Sequence, residues 1–146
     1  MLGAAKTRLS KKALSKADAF NSSIRTLVTK LGELYPDDPM VYRIKKRINL
    51  ALEVDPLFIV NISGPQLLRY SDQIYAKDVI FFMASDYDTE IKESVDTGRL
   101  EAANYLIPKV KQGVMSLEES ERKKYMDIII DMLDNYVEFE AERNGI

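Results

Sequence analysis

The sequence contains no cysteine and no histidine. That double absence excludes disulfides, zinc fingers, thiolate nucleophiles, histidine-ligated haem and every catalytic triad built on imidazole. No apolar run approaches the ~20 residues of a membrane-crossing helix, so no membrane span is expected. The start lacks a continuous hydrophobic segment of the secretory kind, which predicts an intracellular rather than a secreted protein. Phosphate-binding loops of the GxxxxGKS or GxGxxG type are also missing, and Gly64 stands alone between Ser63 and Pro65.

What is present is a chain of 146 residues, 46% hydrophobic and 30% charged. Such a chain makes one globular domain with a sizeable core. The net charge of -2 conceals an asymmetry: residues 1–54 hold 11 basic and 5 acidic side chains, and residues 55–146 hold 10 basic and 18 acidic ones. A layout of this kind hints at a polyanionic partner for one end, or at head-to-tail association. The opening stretch has no acid before Asp18 and also fits an organelle transit peptide, whereas Leu2 in place of glycine excludes N-terminal myristoylation.

Apolar spacing predicts an all-α protein, a single compact domain of six or seven helices with a long C-terminal helix, residues 10–146, behind a basic N-terminal arm, residues 1–9. Ala13, Ala17, Phe20, Ile24, Leu27, Val28, Leu31 and Leu34 recur at steps of three and four, the period of one helix face, and predict a helix over 10–34. Asp38-Pro39 reads as an N-cap followed by a first-turn proline, opening a helix that buries Val41, Ile44, Ile48 and Leu52 and turns Arg43, Lys46 and Arg47 to water. Asp55-Pro56 repeats that start signal ahead of the apolar run 57–62, and Gly64-Pro65 is expected to end one helix and open the next. The aromatic density of 58–87 marks 56–83 as the expected centre of the fold. A bend is expected near Lys77-Asp78 and a short helix over 89–97. A further helix carries Pro108, which must kink it or begin a separate turn, and stops at Gly113. Ser116-Leu117-Glu118-Glu119 reads as a capping box opening the last helix, on the order of 40 Å long, with Tyr125, Ile128, Ile129, Met132, Leu133, Tyr136 and Val137 along its apolar stripe.

Three constellations could carry chemistry. Asp86, Asp88 and Glu90 place carboxylates at alternate positions, as a hard cation would want, but an EF-hand loop begun at Asp86 would meet Ile91 where glycine belongs and Thr97 where glutamate belongs. We therefore read the three acids as solvating a loop and favouring a helix N-terminus, with no metal site. Arg8, Lys12 and Lys16 lie at steps of four, with Lys11 beside them, so one basic stripe could neutralise several phosphates; a solvated helix end is the plainer reading. Asp127, Asp131, Asp134 and Glu138 form an acidic stripe, first the wet face of the last helix and, more sharply, a docking surface for a protein partner.

The run from Glu53 to Asp88 resembles a segment of small uncharacterised helical proteins of the large eukaryotic, nucleocytoplasmic DNA viruses. The resemblance rests on Asp55-Pro56, Gly64-Pro65 with Leu68 and Tyr70, Asp72-Gln73-Ile74-Tyr75, and Phe81-Phe82 ahead of Asp86-Tyr87-Asp88. It covers about a quarter of the chain and has no catalytic motif attached, so it transfers no functional residue. It implies a viral protein made in the cytoplasm of an infected cell, open to packaging in the virion.

The function expected from the sequence is that of a non-catalytic structural or adaptor protein acting through protein-protein contacts or self-association. It calls for no catalytic residue, cofactor or small-molecule substrate. An auxiliary nucleic-acid-binding protein using Arg8, Lys11, Lys12 and Lys16 is the alternative. An enzyme restricted to carboxylate and lysine chemistry ranks below both.

Overall fold

The computed structural model describes residues 9–95 and 100–145. Ser10 starts the first described helix: its hydroxyl accepts the Ala13 N–H at 3.0 Å and caps α1, Lys11–Leu34. On α1 the buried positions are Ala13, Ala17, Phe20, Asn21 and Ile24. The two alanines let a partner helix approach closely, and α8, Glu119–Arg143, takes that place in the most extensive helix pairing of the described chain. The pair is antiparallel, since Lys16 meets Glu138 near one end and the Tyr125 hydroxyl donates to the Lys30 carbonyl near the other. Met132, Tyr136 and Phe139 of α8 close over Ala13, Ala17, Phe20 and Ile24.

Asp38 caps α2, Pro39–Val54, by accepting the N–H groups of Met40 and Val41. Helix α2 adds Leu52 to the core and α3, Phe58–Arg69, adds Val60. The buried Asn21 amide donates to the Pro56 carbonyl at 2.8 Å, fixing the α2–α3 turn to α1. There follow α4, Ser71–Tyr75, α5, Val79–Ala84, α6, Asp88–Val95, and α7, Leu100–Met115. Helix makes up 84% of the described residues, with no strand among them.

The all-helical expectation therefore holds, with eight helices among the described residues instead of six or seven. The core lies elsewhere than expected. Between residues 56 and 83 only Val60, Gly64 and Ile74 are buried, and α5, which carries Phe81-Phe82-Met83, buries none of its residues fully. A six-residue helix presents no sustained stripe, whereas α1 and α8, of 24 and 25 residues, bring long ones together.

Three boundaries also differ. Helix α3 runs straight through Gly64-Pro65; packing against α1, α2 and α8 outweighs the one backbone bond that proline removes. Helix α7 carries Pro108 within it, one of the two expected outcomes, but passes Gly113 and reaches Met115. Gly113 is a packing position, where a β-carbon would stand 2.9 Å from Leu34 Cδ1. The capping box does not form. Because α7 extends to Met115, Ser116 lies against its carbonyl end and donates to the Gly113 carbonyl at 2.6 Å, and Glu118 takes the cap position of α8 without a side-chain bond.

Candidate functional site

The two charged stripes meet at a single pair among the described residues. Lys11 and Lys12 are exposed at the start of α1, but Lys16 pairs with Glu138 of α8 at 2.6 Å; Arg8 lies outside the described residues. Along the acidic stripe, Asp127 pairs with Lys77 at 2.7 Å and Asp134 accepts the Tyr75 hydroxyl at 2.5 Å, while Asp131 stays exposed. The stripe thus fastens α1, α4 and the α4–α5 turn to α8. Lys77 makes its pair from a left-handed backbone, φ 54°, at the expected bend.

Asp86, Asp88 and Glu90 are not brought together as ligands, and no cluster of three or more acidic side chains suited to a metal occurs among the described residues. Asp86 accepts the Asp88 N–H at 3.0 Å, and Asp88 sits in the first turn of α6. Glu90 turns the other way, accepting the Tyr70 hydroxyl at 2.6 Å and meeting Arg69 at 3.2 Å. Beside it the rings of Tyr70, Phe81 and Phe82 stand 5.2–6.0 Å apart, and the Tyr87 hydroxyl donates to the Phe82 carbonyl. Burial pushes the Tyr87 hydroxyl up to about 12.

An open hollow of about 650 Å³ lies where the α1–α2 turn faces α7. Asp38 reaches across it: Oδ2 meets Lys109 Nζ at 2.7 Å and accepts the Tyr105 hydroxyl at 2.7 Å. Lys109 Nζ also stands over the rings of Tyr35 and Tyr105, at 4.6 and 5.3 Å, and the Tyr35 hydroxyl donates to the Lys109 carbonyl. The Lys109 ammonium first, then the Tyr105 hydroxyl, hold the Asp38 carboxyl well below the usual carboxylate range. Asp38 in turn raises both the Lys109 ammonium and the Tyr105 hydroxyl above their ordinary values. Every shift deepens the resting protonation state at neutral pH. A general base or nucleophilic lysine requires the opposite, so the cluster is suited to clamping α7 onto the α1–α2 turn. Sequence spacing shows Tyr105 and Lys109 one helical turn apart, but nothing in it brings α7 back to Asp38.

The outer side of α2 is the remaining feature. Tyr42, Leu50 and Val54 are 56, 59 and 76% exposed, and Arg43, Lys46 and Arg47 are exposed among them. The period that puts 41, 44, 48 and 52 inside already leaves these positions outside, so the signal was present in the sequence.

No protein-family model matches this chain, nor does any curated protein or solved structure. No described helix is long and apolar enough to cross a membrane.

Proposed function

We propose that this chain is a non-catalytic structural or adaptor protein that works through protein-protein contacts. The observation that carries this reading is the outer side of α2, where Tyr42, Leu50 and Val54 stand in water beside arginine and lysine. Tyrosine and arginine over an apolar patch are what protein interfaces concentrate at their centres. The hollow beside Asp38 supports the same reading, since its charged groups are engaged in holding helices together. The resemblance of residues 53–88 favours a viral origin, with the protein in the infected-cell cytoplasm or the virion.

The test is affinity capture from virions or infected cells, with the wild-type chain and with Leu50→Asp/Val54→Asp. A partner held by the former and lost by the latter is expected. No partner in either case, together with a strict monomer by light scattering at high concentration, would sink the reading.

A second reading, nucleic-acid binding through the N-terminal stripe, is favoured by the exposure of Lys11 and Lys12 at the start of α1. It predicts duplex binding that weakens steeply with salt and is lost when Arg8, Lys11, Lys12 and Lys16 become alanine.

A further inference from the structure

Most charges on α8 are answered inside the chain. Glu119 faces Lys123, Glu121 faces Lys124, Glu140 faces Arg143, Asp127 faces Lys77 and Glu138 faces Lys16. Helix α2 is different, because Arg43, Lys45, Lys46 and Arg47 make no ion pair among the described residues. Lys46 only leans over the Tyr42 ring, 4.9 Å away. The outer face carries Arg43, Lys46 and Arg47 against the single acid Glu53 and also exposes Leu50 and Val54, which fits a surface offering carboxylates and an apolar contact together.

One such surface belongs to the chain itself. The acidic stripe of α8 keeps Asp131 exposed and without an ion pair among the described residues, and Asp127 and Glu138 remain 56 and 55% exposed despite their partners. Val137 borders the stripe at 45% exposure. At 1.5 Å per residue, 42–54 spans about 18 Å and 127–138 about 17 Å, so the two faces match in length as well as in sign. Both face solvent in a single chain, and each therefore meets the other only on a neighbouring copy.

We propose that the outer face of α2 receives the acidic face of α8 from a second copy, which gives head-to-tail association. The inference rests on the protein-contact reading above and names the chain as its own partner. Arginine forks on carboxylates set register, and Leu50 and Val54 against Val137 supply the apolar contact. The two faces are not the same patch, so the contact is heterologous, and each added copy brings one further free face of each kind. A nucleic-acid duplex would engage the cations but leave Leu50 and Val54 without a role.

Light scattering and sedimentation of the full chain test this. At low salt the weight-average mass is expected to rise with concentration to at least twice 16.7 kDa, and to return to one chain at high salt. Arg43→Glu/Arg47→Glu and Asp131→Lys/Val137→Lys, each confirmed helical by circular dichroism, should remain monomers alone. Mixed, they should form a discrete two-chain species, because one keeps an intact α8 face and the other an intact α2 face. A wild-type chain that stays monomeric at low salt overturns the inference, as does association that neither double variant disturbs, or a mixture that forms no pair. Duplex binding lost in Arg43→Glu/Arg47→Glu by a chain of unchanged mass overturns it too. A monomer that still captures a partner through Leu50 and Val54 refutes self-association and leaves the protein-contact reading standing.

Discussion

The Tyr136 ring lies on Gly64 so closely that a β-carbon added at Gly64 would stand 2.1 Å from ring atoms Cδ1 and Cε1 and 2.7 Å from Cγ. Cγ lies on the axis of ring rotation, so flipping the ring about Cβ–Cγ does not open the space, and the whole side chain must shift. Gly64→Ala is therefore expected to destabilise by about 1–3 kcal/mol, although alanine outranks glycine in a helix by ~1 kcal/mol. In a Tyr136→Ala background the same change should become neutral or stabilising. A double-mutant cycle by chemical denaturation measures both, and a cost unchanged by removal of the ring would refute the contact.

The α1–α8 seam depends on small residues at Ala13 and Ala17, 0 and 1% exposed. Ala17→Leu forces side chains off their rotamers or the helices apart, and should cost about 1–3 kcal/mol. Phe139→Ala, which empties a fully buried site on the facing helix, should cost about 3–5 kcal/mol. Equal stability of either variant with the wild type in urea would contradict the seam.

The cluster at Asp38 ties part of the acid stability to one carboxylate. Its folded value lies below the unfolded value of 3.8, so its contribution is fully present above 3.8 and is lost as pH falls through the lower folded value. Asp38→Asn keeps a capping side chain but removes the charge facing Lys109. The variant is expected to melt lower at neutral pH and to show a flatter decline of Tm below pH 4. A decline as steep as that of the wild type would place the acid sensitivity elsewhere.

Tyr87 is the most strongly shifted tyrosine on the alkaline side. Burial raises its hydroxyl from 10.0 to about 12, so the folded state resists ionisation and loses stability as pH rises from 10 toward 12. Absorbance titration should show one tyrosine ionising near the top of that range, absent in Tyr87→Phe. If every tyrosine titrates near 10 while the far-ultraviolet spectrum stays native, the hydroxyl is not buried as described.

The order of helices, the caps at Ser10 and Asp38, the buried set of α2 and the bend at Lys77 follow from residue spacing and turn chemistry, because a helix face and an N-cap are settled within a few neighbouring residues. Glycine and proline proved ambiguous for the opposite reason. Gly64-Pro65 and Gly113 read locally as stops, yet α3 and α7 pass through them; at both glycines the missing β-carbon serves a distant neighbour, Tyr136 or Leu34.

By itself the sequence determined an all-helical body without thiol or imidazole chemistry, and a cationic first half set against an acidic second. The tertiary structure alone decided which stripes pair and which charges are left over. Lys16 is drawn to Glu138 and Lys109 to Asp38 by contacts between helices far apart in the chain, while the cations of α2 form no ion pair among the described residues. Periodicity reports which face of a helix is buried, but the partner that buries it is set by packing across the whole molecule.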